Sequence, residues 1–61
     1  MPIIQIDAVE GRTLEQKRAL VKAFTDSMVK IYETPPESVT IIIRESSKQG
    51  FAKSGVLLSD K

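Results

Sequence analysis

A 61-residue chain with no cysteine and no histidine lacks the usual staples of a small fold. No disulfide can close a loop, and no thiolate or imidazole can ligate a structural metal. A chain this short buries only ~60% of the surface its unfolded form exposes. Its core rarely supplies more than ~3–5 kcal/mol. The remaining staple is association with other chains. Hydrophobic residues at 41% and charged residues at 28% place the sequence among folded soluble domains rather than disordered ones. One domain spanning residues 1–61 is the expected organisation. Nine Lys and Arg against eight Asp and Glu leave a net charge of +1. That balance offers no long-range field for nucleic acid or an anionic membrane. No apolar run approaches the ~18 residues of a membrane span. The start, Met1-Pro2-Ile3-Ile4-Gln5-Ile6-Asp7, lacks the basic region of a signal peptide, so the expected location is the cytoplasm.

Residues 2–8 alternate, with Ile4, Ile6 and Ala8 pointing one way and Ile3, Gln5 and Asp7 the other. That is strand periodicity, and β-branched Ile favours it. Glu10-Gly11 breaks the pattern. Thr13 reads as a helix N-cap, and Gln16 three residues later completes a capping box. From Leu14 to about Tyr32 the apolar residues Leu20, Val21, Phe24, Met28, Ile31 and Tyr32 recur at helical spacing. Lys17, Arg18, Lys22, Asp26 and Lys30 mostly fall off that stripe, and Asp26 with Lys30 is an i, i+4 pair. Thr34-Pro35-Pro36 ends the helix, because proline disfavours helical geometry in the residue before it and donates no N–H. Val39 to Arg44 is the strongest strand, apolar enough to be covered on both faces. Residues 46–50 form a polar loop, Phe51 to Leu58 a small hairpin about Ser54-Gly55, and Ser59-Asp60-Lys61 a polar tail.

The expected fold class is therefore α+β: a β-α-β unit with parallel strands and a small C-terminal hairpin. Two parallel strands under one helix leave their outer edges and one sheet face bare. The expected state is a homo-oligomer larger than a dimer.

Without His or Cys, no Ser/His/Asp or Cys/His set can be assembled. Gly11, Gly50 and Gly55 are too isolated for a phosphate loop. Asp7 and Glu10 are too isolated for a metal site. Attention falls on Pro2. Initiator Met is readily removed ahead of the small Pro, leaving a free secondary amine. Such a group can act as base or nucleophile. An α-amino group titrates near ~7.7–8, and apolar burial or a nearby Arg lowers that by penalising the ammonium. With Met1 attached, Pro2 is an amide with no basic nitrogen. On Met-Pro alone, a plain second residue is the better reading.

The run Met1-Pro2-Ile3-Ile4-Gln5-Ile6, then Glu10-Gly11-Arg12-Thr13 and Glu15-Gln16-Lys17, resembles the 4-oxalocrotonate tautomerase family. The likeness continues through Pro35, Ser38-Val39, Ile41 to Ile43, Glu45, Phe51 and Gly55, covering essentially the whole chain. It implies the β-α-β tautomerase fold, a hexamer built as a trimer of dimers, and sites made by neighbouring subunits. It also implies an isomerase that needs no cofactor and takes small enol carboxylates, 2-hydroxy or 2-oxo acids, as substrates. Pro2 is then the general base. Arg12 binds a substrate carboxylate, for which a guanidinium fork is suited. Phe51 is an aromatic wall that keeps the site dry, although in so small a chain it also reads as a core residue.

The sequence departs from the family in two places. Thr40 stands where the muconate-specific members carry a second, substrate-binding Arg. Arg44 lies on the same strand face, roughly 13 Å further along at ~3.3 Å per residue, too far simply to replace it. This weighs against efficient turnover of 2-hydroxymuconate. Ala52 and Lys53 stand where dehalogenating relatives carry a water-activating carboxylate, which weighs against hydrolytic dehalogenation. The alternative to an enzyme is a non-catalytic homologue, or one subunit of a hetero-hexamer whose partner supplies the missing Arg.

Overall fold

The computed structural model describes residues 1–61. Strand β1 spans Ile3–Val9, helix α1 Leu14–Tyr32, and strand β2 Thr40–Ser46. Two short strands, β3 (Ala52–Lys53) and β4 (Val56–Leu57), follow. Single turns of 3₁₀ helix cover Pro36–Ser38, Lys48–Gly50 and Leu58–Asp60. The last of these overlaps the polar tail expected at Ser59-Asp60-Lys61.

β1 and β2 pair in parallel, with Ile4 beside Ile41, Ile6 beside Ile43 and Asp7 beside Arg44. Ile4, Ile6, Ile41 and Ile43 are half-buried, and Glu45, on the same strand face as Ile41 and Ile43, pairs with Lys17 of α1. That face therefore lies against the helix. The opposite face carries Ile3 and Thr40, Gln5 and Ile42, Asp7 and Arg44. It is bare within this chain, with Ile3 60% and Ile42 40% exposed. β2 is thus covered on one face by its own chain, not on both.

The helix begins as its sequence requires. Thr13 Oγ1 accepts from Gln16 N–H at 3.1 Å, and Gln16 Oε1 accepts from Thr13 N–H at 3.0 Å. These two bonds satisfy donors that a helix start leaves orphaned. The inward face differs from the expected stripe. Lys17, Val21, Thr25, Met28 and Val29 are the half-buried helix residues, whereas Leu20, Phe24, Ile31 and Tyr32 remain exposed. Leu20, Phe24 and Ile31 form a second apolar row beside the first, reaching past the width of a two-stranded sheet. Tyr32 lies on the inward side but at the helix end. Lys17 turns inward because Glu45 of β2 awaits it, Nζ to Oε1 at 2.7 Å. Asp26 pairs with Lys22 at 2.9 Å rather than with Lys30.

The helix stops at Glu33, which adopts φ 55° and ψ 44°. This left-handed conformation strains a residue with a Cβ. Glu33→Gly should therefore stabilise the protein by about 0.5–1 kcal/mol, measured by chemical denaturation. No gain, or a loss, would mean the Glu33 side chain contributes more than its strain costs.

β3 and β4 form the expected hairpin, with Lys53 opposite Val56 and Ala52 opposite Leu57. Its two-residue turn has Ser54 at φ 52° and Gly55 at φ 78°. Positive φ at both positions is what a type I′ turn demands. The molecule measures 44 × 22 × 14 Å, with a radius of gyration of 14.8 Å. A compact chain of this length would have roughly 10–11 Å. No residue is buried. The helix–sheet layer exists, but one copy does not close it into a core.

Candidate active site

Pro2 sits immediately before β1 and is half-buried. Its carbonyl accepts from the Thr40 N–H at 3.1 Å. This bond starts the parallel ladder, so Pro2 and Thr40 are neighbours at one end of the sheet. Thr40 shares the bare sheet face with Ile42 and Arg44. Arg44 does not reach back toward it. Its Nε lies 3.1 Å from Asp7 Oδ1, and its Nη2 donates to Gln5 Oε1 at 3.3 Å. The strand register sets Asp7 directly opposite Arg44, and that juxtaposition engages the guanidinium across the strands rather than along them.

Arg12 lies at the other end. It is exposed in the loop between β1 and α1, after Gly11, whose φ of 130° a residue with a Cβ rarely adopts. The seven residues of β1 separate Pro2 from Arg12 by roughly 23 Å at ~3.3 Å per residue. The hairpin belongs to the Arg12 end as well. There the Glu10 N–H donates to the Ser46 carbonyl at 2.8 Å, and the chain leads on to Phe51.

Phe51 is half-buried, and its carbonyl accepts from the Leu58 N–H at 2.8 Å. The ring lines a shallow cavity of about 120 Å3 together with Lys53, Val56, Leu58 and Lys61. The four expected site residues thus divide into two pairs. Pro2 and Thr40 stand at the start of the sheet; Arg12 and Phe51 follow its far end. One copy does not bring them together.

Glu45, the nearest carboxylate before Phe51 in the chain, is held by Lys17 with both side chains about 30% exposed (31% and 29%). It is committed to fastening α1 onto β2. In sequence, Lys53 stands out only as the absence of a carboxylate. Its spacing of two from Phe51 already places both on one side of an extended segment, and the cavity shows that they share a surface.

No helix is long and apolar enough to cross a membrane. The family described as "Tautomerase enzyme" matches residues 2–61. A probable tautomerase of Lactiplantibacillus plantarum is 41% identical over 61 residues, which is all of this chain and 95% of that protein. Among solved structures, a 4-oxalocrotonate tautomerase homologue superposes with a TM-score of 0.95 at 36% identity, covering 100% of this chain and 97% of that one. A heterohexamer 4-oxalocrotonate tautomerase from Chloroflexus aurantiacus gives a TM-score of 0.85 at 27% identity, covering 98% and 97%. Sequence likeness and backbone likeness run through the strand that follows Pro2, the loop that holds Arg12 and the hairpin that follows Phe51, and on that ground the chain belongs to the 4-oxalocrotonate tautomerase family.

Proposed function

We propose that this protein is a cytoplasmic, cofactor-independent tautomerase that moves a proton within small 2-hydroxy and 2-oxo carboxylates, with the Pro2 amine as general base. The observation that carries the reading is the position of Pro2. Its carbonyl is anchored to Thr40, while its nitrogen, which carries no N–H, takes no part in the ladder. Once Met1 is removed, that nitrogen bears a lone pair at the end of the sheet.

The reaction needs little machinery. The Pro2 amine takes the proton from the enol oxygen as the carbonyl forms. Electrons shift along the conjugated chain to the distal carbon, which takes a proton back from the Pro2 ammonium. Arg12 holds a substrate carboxylate and favours electron density moving toward it. Phe51 excludes water, which strengthens both electrostatic contacts. Thr40 borders Pro2 and offers only a hydroxyl to the substrate.

The separation of Pro2 from Arg12 requires more than one copy. A two-fold axis normal to the sheet reverses strand direction, setting the Pro2 end of one copy beside the Arg12 end of the other. Three such dimers would cover the bare faces, giving the hexamer expected of a trimer of dimers. Thr40 leaves the sheet without the second Arg of the muconate-specific members, which weighs against efficient turnover of 2-hydroxymuconate.

Arg12→Ala should lower kcat/KM for an enol monoacid roughly tenfold to a hundredfold, since a charge-assisted hydrogen bond contributes about 1.5–3 kcal/mol. Sedimentation of the variant should match the parent, because Arg12 is exposed in a loop. Unchanged kcat/KM would remove Arg12 from the site.

A second reading is a subunit of a mixed assembly. It is favoured by Thr40 and by the solved relative that is a heterohexamer. Purified alone, such a chain would be inactive even with a free Pro2 amine, and would gain activity on mixing with a partner carrying the missing Arg.

A further inference from the structure

The cation deficit at Thr40 has a counterpart at the hairpin. The four ion pairs of the chain engage Lys17, Arg18, Lys22 and Arg44. Lys53 and Lys61 are in none of them, yet both line the cavity against the Phe51 ring. The cavity's frame is well defined. Lys53 is opposite Val56, the type I′ turn fixes the hairpin twist, and Leu58 N–H ties back to the Phe51 carbonyl at 2.8 Å. An aromatic wall with free ammonium groups at its edge is an anion site with one apolar side. The shallow cavity, of about 120 Å3, has room for a carboxylate arm.

Resting on the tautomerase reading, we propose that Lys53 is a specificity-determining residue: its ε-ammonium, beside Phe51, binds the end of a dicarboxylate substrate that Arg12 does not hold. Arg44 is excluded from that task by Asp7 and Gln5. An ammonium on a four-carbon stem is a mobile point charge, so it can reach past the ring to a group seated there. It also reverses the electrostatics of the position. A carboxylate there would polarise water, whereas an ammonium attracts the substrate's own anion. The chain thereby selects dianions by a lysine from the hairpin instead of an arginine from the sheet.

The test is direct binding, by calorimetry on the assembled full-length protein, of fumarate and of its monomethyl ester. Neither probe carries an enol, so both report binding alone. Lys53→Met should weaken fumarate about tenfold and leave the monoester unchanged. Lys53→Arg should keep most of the preference for the dianion, and Arg12→Ala should weaken both probes. Sedimentation of each variant guards against loss of assembly. Equal weakening of the two probes by Lys53→Met, no weakening of either, or no preference for fumarate in the parent protein would overturn the assignment. An enol–keto assay on the same samples separates it from the parent reading. Absent turnover with the Lys53 preference intact refutes the catalytic reading alone. Turnover with the preference unaffected by Lys53→Met refutes this assignment alone.

Discussion

Protein that retains Met1 should show no enol–keto turnover, while the same chain processed to Pro2 should turn over. An amide nitrogen cannot accept the proton, and a secondary amine can. The two samples differ by one residue at the end of the sheet, where the Pro2 carbonyl is already fastened to Thr40. Fold and assembly should therefore be the same in both. Pro2→Ala should give an intermediate result, because Met removal then leaves a primary and more mobile amine. Protonation removes the lone pair, so kcat/KM should fall as pH drops through the amine's pKa. The midpoint should lie below the ~8 of an ordinary α-amino group, since an apolar wall at Phe51 and an Arg12 from a neighbouring copy both penalise the ammonium. Intact mass establishes the N-terminus, and sedimentation establishes the assembly. Equal activity in the two samples would end the mechanism and leave a non-catalytic role.

Ile42→Asp should abolish assembly and, with it, the fold. Ile42 is central in the bare sheet face, flanked across the strands by Gln5, and Ile3 on the same face is 60% exposed. No residue is buried in a single copy, so in the proposed assembly stability depends on the surface that other copies cover. A carboxylate at the centre of that surface would be desolvated without a partner. The parent should sediment as one species far above 6.8 kDa at micromolar concentration. Its unfolding midpoint should rise with protein concentration, as it must when association and folding are linked. The variant should show the circular dichroism of an unfolded chain. A folded, monomeric Ile42→Asp protein would refute the dependence of the fold on that face.

Much of the local structure was legible in the residues. The period-2 run after Pro2, the capping box at Thr13 and Gln16, the Pro35-Pro36 stop and the Ser54-Gly55 turn each depend on contacts within a few positions. The helix bounds and the hairpin accordingly lie where those signals put them, and the strands within two residues, β1 running on to Val9 and β2 on to Ser46. The β-α-β order and Pro2 as a candidate were legible there too; family likeness added the base role of Pro2 and the candidate residues Arg12, Phe51 and Thr40.

Relations between distant segments had to come from the tertiary structure. Helical periodicity offered one apolar stripe from Leu20 to Tyr32. Docking on a sheet only two strands wide kept Val21 and Met28 of that stripe, added Thr25 and Val29, and left Leu20, Phe24 and Ile31 outside. Lys17 reads as a solvent-facing charge until the position of Glu45 is known. The same holds for Arg44, which is free to roam in sequence but is held by Asp7 through strand register. The length of β1 puts Pro2 and Arg12 at opposite ends of one copy. The physical reason is common to all of these. Propensity, capping and turn geometry act over a few bonds and are encoded where they act. Facing, register and the joining of a site arise from which surfaces meet, a property of the packed chain and its neighbours rather than of any short run of residues.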